Sequence, residues 1–218
     1  KTSVKDLTGF CLNKLDKTYY SKNSFNNKYG VPLSIINSPQ STKFSVLEVG
    51  MDKKGEIDTL TKLIRPNLGL ITNISYAHIK NFKNLDEIAK AKGEIINNIF
   101  PSGVMIINKD DKYCNYFISK AKKRNLNIIT FSKKNKLADV VYLGGRKNEN
   151  LFLCKFLIKG KIKFFVIPNY LIDFKENILS TLSIIANYFN TDTLPVDLFL
   201  NFKISQSRGS IINYKKGK

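Results

Sequence analysis

The sequence predicts an α/β fold, a mainly parallel sheet flanked by helices and extended on one side by antiparallel strands. Three observations carry this expectation. As far as Asp139, short apolar runs of strand length alternate with amphipathic stretches, the pattern of strand–helix–strand crossovers. Beyond Asp139, strand-like segments follow one another too closely for helices to intervene, which calls for antiparallel pairing. Hydrophobic residues make up 43% of the chain and aromatics 11%, so a packed core forms in spite of a formal charge of +19.

The elements follow in order. Val4, Leu7, Cys11 and Leu15 fall close to helical spacing, so residues 1–15 open the chain as a helix. A short strand covers 18–20, and Pro32 suits the first turn of a helix over 32–37. Residues 44–49 read as a buried strand, 50–55 as a loop, 57–64 as a helix and 68–72 as the next strand, ending at Asn73. A long helix is expected over 85–100, a strand over 104–107, a helix over 110–124 and a strand over 127–131. The antiparallel strands are 140–143, 151–158 and 161–167, followed by helices over 178–189 and 194–202. The polar, basic stretch 205–218, with Arg208-Gly209, reads as a linker, and neither repeats nor low-complexity tracts interrupt the pattern.

Composition narrows the function classes. With no apolar run of about 18 residues and no charged-then-apolar leader, neither a membrane span nor a signal peptide is expected, and the cytoplasm is the expected compartment. Cys11, Cys114 and Cys154 are odd in number and far apart, which gives neither a disulfide framework nor a C-x-x-C pair. His78 is the single histidine, so a multi-histidine zinc site is excluded. Lysine, asparagine and isoleucine are abundant together, so the charge has a purely compositional explanation. The lysines are also spread along the chain rather than gathered in an aromatic-interleaved block. No specific nucleic-acid partner is therefore expected, although a basic surface favours anionic ligands such as nucleotides.

Candidate chemistry gathers at strand ends, where open α/β sheets bind ligands. Glu48 ends one strand, and Asn73 with His78 follows the next. A carboxylate and an imidazole on adjacent strand ends can share Mg²⁺ with phosphate oxygens; the plainer alternative is a surface glutamate and a loop histidine. Lys92 falls in the middle of an apolar stripe of Leu85, Ile88, Ala89, Ile95, Ile96 and Ile99. Either its ammonium snorkels out to water or it enters the site beside His78, desolvated and open to modification. Lys1-Thr2-Ser3, directly before a helix, is what the end of a phosphate-binding loop, G-x-x-x-x-G-K-[ST], looks like, though so short a fragment also arises by chance.

Read together, these pieces resemble the Mur ligases, the ATP-dependent ligases of bacterial cell-wall precursor synthesis. The resemblance rests on Lys1-Thr2-Ser3, Asn26-Asn27-x-x-Gly30-Val31-Pro32, Glu48-x-Gly50 with Gly55-Glu56-Ile57, Ile71-Thr72-Asn73-Ile74 with Ala77-His78, Ala89-x-x-Lys92-Gly93-Glu94-Ile95 and Asn108-x-Asp110-Asp111. The Asn-Asn-x-x-Gly-Val-Pro and Gly-Glu-Ile patterns favour the branch that joins D-alanyl-D-alanine to UDP-N-acetylmuramoyl-tripeptide through an acyl phosphate. The family's fold implies a P-loop-like central domain over 1–204, entered inside its phosphate loop, and a linker over 205–218 toward a C-terminal domain. By resemblance, ATP and Mg²⁺ are the cofactors: Lys1, Thr2, Ser3, Asn73 and Arg208 face the nucleotide, and Thr2, Glu48, His78 and a carbamylated Lys92 face metal. Lys1, Glu48, His78 and Lys92 carry the catalytic roles, Asn27 lines the precursor side, and the family implies a monomer.

The chain departs from the family at the adenine side, where Glu176-Asn177 and Ser180 replace an expected His-Asn pair and asparagine. That departure, with the charge, keeps a second expectation open: a basic α/β nucleotide- or nucleic-acid-binding domain without ligase activity.

Overall fold

The computed structural model describes residues 1–75 and 81–204. Its helices are α1 (Thr2–Asn13), α2 (Gly30–Ile36), α3 (Glu56–Ile64), α4 (Leu85–Lys92), α5 (Cys114–Lys122) and α6 (Lys175–Tyr188). Its strands are β1 (Thr18–Tyr20), β2 (Phe44–Val46), β3 (Leu68–Ile71), β4 (Val104–Asn108), β5 (Asn127–Ser132), β6 (Val140–Asn148), β7 (Leu151–Ile158) and β8 (Lys161–Pro168). Six strands form one sheet in the order β3-β4-β5-β6-β7-β8. The pairs from β3 to β6 are parallel and the pairs from β6 to β8 antiparallel, as the change of pattern at Asp139 requires.

Helices cover both faces of the sheet, so its central strands are apolar throughout; all five residues of β4 are buried. On one face α1 and α6 pack Leu7, Leu12, Ile178 and Leu182 against Phe131, Phe156 and Phe165. On the other, Ile96 and Phe117 close over Met105 and Ile107. Truncating one of the fully buried rings to alanine costs about 3–5 kcal/mol. All three cysteines are free and buried. Among the described residues no helix is long and apolar enough to cross a membrane.

The small sheet, β1 paired in parallel with β2, stands apart. The order of segments in the chain suggested that the strands ending at Glu48 and at Asn73 are neighbours, but β2 and β3 share no ladder. Between them lies a slot of about 760 Å³, lined by residues 43–49 on one side and by Asn67, Leu68, Leu70, Ile71 and Thr72 on the other. Without a partner on that edge, β2 stops at Val46 rather than reaching Val49. The two sheets are bridged on one face by the apolar α1, whose Thr8 hydroxyl also meets that of Thr181 in α6 at 3.0 Å. On the other face the bridge is polar and involves α3.

That polar bridge corrects another expectation, the single helix over 85–100. After α4 the chain tightens into a 3₁₀ turn, Gly93–Asn98. Gly93 has weak helix propensity, and the side chains of this turn reach across to α3. Glu94 accepts from Gly55 N at 2.8 Å and Asp58 N at 3.2 Å. Asn97 and Asn98 donate to Asp58 Oδ1, each at 3.0 Å, and Asn98 also to Thr61 Oγ1 at 2.9 Å. The helix expected over 110–124 begins only at Cys114, because Asp111 Oδ1 accepts from Tyr113 N at 2.8 Å and closes a local turn instead. Residues 194–202 form hydrogen-bonded turns at Pro195 and Asp197 rather than a helix.

Asp58 gives the polar bridge a pH signature. Its carboxylate, paired with Lys62 at 2.7 Å and held by the two asparagines, is lowered from 3.8 to about 2, with Lys62 the largest cause. A depressed folded-state value contributes stability above the unfolded value and loses it as pH falls through the folded one. Urea midpoints of the native chain should therefore fall more steeply than those of Asp58→Asn between pH 3.8 and about 2; parallel curves would remove Asp58 from the pH response.

Candidate functional site

The carboxyl ends of β3, β4 and β5 are tied together by one short segment. Asn108 Nδ2 donates to Thr72 O at 3.1 Å, Asp111 Oδ2 accepts from Ile74 N at 2.7 Å, and Asp110 accepts from Ser132 Oγ at 2.5 Å and Lys133 N at 2.7 Å. Carboxylates accepting backbone N–H groups make strong, charge-assisted bonds, so the rim beyond the sheet is held rigid. Residues 72–75 are thereby fixed, and Lys92 Nζ donates to Asn73 O at 2.8 Å. Lys92 is half-buried, and its pKa is lowered by desolvation first and then by the neighbouring ammonium of Lys1, with Asp111 opposing. The stem of Lys92 is half-buried and its ammonium meets the Asn73 carbonyl at the exposed edge of the rim.

Across the slot, Glu48 is buried, 5% exposed. Its Oε1 accepts from Asn26 Nδ2 at 2.7 Å, while Oε2 is buried without a partner. Gly50 N donates to Asn26 O at 2.7 Å, and a Cβ at Gly50 would lie 2.9 Å from the Asn26 side chain, so glycine permits this close approach. A buried carboxylate oxygen left unsatisfied is costly. Lys1, Glu48 and Lys92 all line the same cavity, and Lys1 Nζ reaches Val49 O at 3.3 Å.

The other expected residues fall as follows. Thr2 is buried with its hydroxyl 3.1 Å from Ser24 Oγ, and Ser3 is half-buried in the first turn of α1. Asn27 Oδ1 accepts from Tyr29 N at 3.1 Å and Gly30 N at 2.9 Å, so this oxygen serves the start of α2, and it is the adjacent Asn26 that reaches Glu48. His78 and Arg208 lie outside the described residues. At the adenine-side departures, Glu176 pairs with Lys133 at 2.6 Å and Ser180 Oγ donates to Glu176 O at 2.7 Å. Three residues without a site role in the sequence reading prove structurally central: Asn26, Glu94 and Asp111. Their signal was present, since each sits inside a quoted motif, but residue type alone does not tell which of two neighbouring asparagines or aspartates faces which strand.

Among the described residues no three His, Cys, Asp or Glu side chains converge as a ready-made metal cage. The hard, unpartnered Glu48 oxygen nonetheless fits a Mg²⁺ whose remaining ligands are water and phosphate oxygens, this ion's usual mode of binding. The first turn of α1 carries no acidic residue, so no carboxylate of its own opposes an anion there.

An α/β domain with a cation-ready carboxylate facing lysines across the carboxyl ends of its strands is suited to a phosphate-bearing ligand. The chain belongs to the Mur ligase middle domain family, whose model matches residues 1–178. It is 29% identical over 219 residues to a UDP-N-acetylmuramoyl-tripeptide–D-alanyl-D-alanine ligase of Rickettsia prowazekii, an alignment that covers 100% of this chain and 49% of that protein. It is 41% identical over 138 residues, 62% of this chain and 29% of the relative, to a ligase of the same name from Buchnera aphidicola subsp. Baizongia pistaciae. The chain thus spans about half the length, or less, of these curated relatives. In fold it resembles MurF from Acinetobacter baumannii with a TM-score of 0.87 at 24% identity, covering 99% of this chain and 46% of that one. It also resembles a MurF ligase of Thermotoga maritima in complex with ADP, with a TM-score of 0.73 at 22% identity, covering 85% and 42%.

The orphaned oxygen makes a stability prediction. Glu48→Gln keeps an acceptor for Asn26 and removes a buried carboxylate with one unpartnered oxygen, so in metal-free buffer the variant should be more stable by about 1 kcal/mol in urea unfolding. A destabilised variant would show that the carboxylate is already satisfied.

Proposed function

We propose that this chain is the nucleotide-binding part of an ATP-dependent ligase that joins D-alanyl-D-alanine to a UDP-N-acetylmuramoyl-tripeptide. The observation that carries the reading is the unpartnered Glu48 oxygen, in a cavity that also receives Lys1 and Lys92. The relatives' names supply the substrates.

A phosphate-binding loop is a strand, a turn and a helix in sequence. In this reading Lys1 and α1 are its last two parts. Among the described residues neither β2 nor β3 has a ladder partner on the slot side, so the slot offers unpaired edges on both sides for the strand. Lys1 then contacts the terminal phosphates, and the amides of Thr2 and Ser3 contribute to their binding. Mg²⁺, when bound, offsets the charge of phosphate and carboxylate oxygens as they approach. Glu48, the Thr2 hydroxyl and His78 would hold it, with Lys92 as a carbamate. Asn73, Arg208 and Asn27 keep the nucleotide and precursor roles that the resemblance implies. The precursor's terminal carboxylate oxygen attacks the γ-phosphorus and ADP leaves. The neutral amine of the dipeptide then attacks the acyl carbon, phosphate departs, and the amine gives up a proton.

Two variants of the complete enzyme test this reading. Glu48→Gln should abolish ATP-dependent ligation with an unchanged far-UV spectrum, since a neutral amide is a poor ligand for a hard dication; normal turnover would remove Glu48 from the reaction. Lys92→Ala should lose most turnover and recover part of it in formate or acetate, small carboxylates that can occupy the carbamate position. Full activity without them would return Lys92 to a packing role.

A further inference from the structure

The slot leaves the candidate site in two halves that no sheet ladder joins. Glu48, Gly50 and Asn26 belong to the β1-β2 side, whereas Asn73 and Lys92 belong to the six-stranded side. The spacing of these halves depends on what grips the loop after Glu48. That loop is closed by two carboxylates. Glu56 Oε2 accepts from Asp52 N at 2.6 Å and Lys53 N at 3.0 Å, folding the turn on itself. Glu94, 8% exposed and two residues beyond Lys92, holds the far end of the turn. Both of its oxygens accept from Gly55 N, at 2.8 and 3.0 Å, and Oε2 also accepts from Asp58 N at 3.2 Å. Gly55 has φ of +90°, a conformation that glycine adopts without strain. A carboxylate at the α3 N-terminus is further favoured by the helix dipole.

We infer that Glu94 is a positioning residue that sets the distance between the Glu48 half and the Lys92 half of the site. It touches neither half's reactive atoms. It sits on the same 3₁₀ turn that continues from Lys92, and it anchors the turn that continues from Glu48. A shift of either element is thus transmitted to the other through one buried carboxylate. Asn97 and Asn98 reinforce the grip further along α3 but do not touch Gly55. The inference rests on the metal-site reading above only for its consequence, not for its geometry.

The test uses the 218-residue chain with Glu94→Gln, and Glu94→Asp should Gln fail to fold. In metal-free NMR spectra, the Asn26 Nδ2 protons report the bond to Glu48. Their signals, together with the Gly50 amide, should shift and exchange faster in the variant while the thermal midpoint changes little. Unchanged Asn26 and Gly50 signals would overturn the inference whatever metal does. Mn²⁺ is then titrated as a paramagnetic probe. In the native chain it should broaden the amides of Gly50 and Asn73 together, and Glu94→Gln should weaken that binding roughly tenfold, the usual effect of losing a group that orients a ligand. Equal Mn²⁺ affinity in the two proteins would reduce Glu94 to a local helix cap. A native chain whose Gly50 and Asn73 amides Mn²⁺ does not broaden would refute the metal-site reading instead, and the Asn26 signals would still decide the role of Glu94.

Discussion

The constraint on which the rest of the structure depends is the satisfaction of backbone polar groups where parallel strands end. A parallel ladder stops abruptly, and the N–H and C=O groups just beyond it must find partners or face water. Here Asn108 and Asp111 supply those partners beyond β3, Asp110 supplies one beyond β5, and Asn108 Oδ1 accepts from Asp110 N beyond β4 itself. The segment 72–75 is held in place as a result, so the carbonyl of Asn73 is available to receive the Lys92 ammonium. A lysine on a mostly apolar helix face thus finds a carbonyl acceptor at the edge of the core.

The two sheets are joined by different physics on their two faces. On one face α1 buries apolar side chains against α6 and the main sheet, a non-directional attachment that tolerates small displacements. On the other face the 3₁₀ turn after Lys92 grips α3 through directional bonds, which define a register as well as a contact. That Gly93 interrupts the helix there, at a cost to local propensity, is consistent with a turn shaped to present Glu94, Asn97 and Asn98 rather than to extend α4.

Much of the fold was legible because period and length are local properties. The alternation before Asp139, the β6–β8 run and the buried cysteines required only burial patterns. What escaped depended on side chains competing with the backbone or on long-range pairing. The helix over 110–124 shortened because Asp111 closes a turn, and the helix over 85–100 tightened because asparagines and a glutamate face α3. The separation of β2 from β3 was hidden, since chain order says nothing about which strand edges meet. At the site, Glu48 and Lys92, which residue type singled out, both line one cavity. Residue type could not separate Asn26 from Asn27, because the two differ only in which of them the following helix start consumes.

The distribution of satisfied and unsatisfied charge separates structure from function in this domain. Glu94, Asp110, Asp111 and Asp139 are carboxylates whose oxygens accept nearby N–H or O–H donors. Glu48 is as buried as Glu94, yet among the described residues it is the one carboxylate with a buried oxygen that lacks a partner. If burial of an acid served only packing, its last acceptor site would be filled as it is in the others, because the cost of leaving it empty exceeds what one hydrogen bond returns. Four lysines, Lys1, Lys5, Lys43 and Lys92, line the same cavity. Ser21 and Asn169 also bury an unpartnered oxygen, but Glu48 alone among the buried carboxylates does so in the cavity lined by lysines, and this contrast is what the proposed cation role would explain.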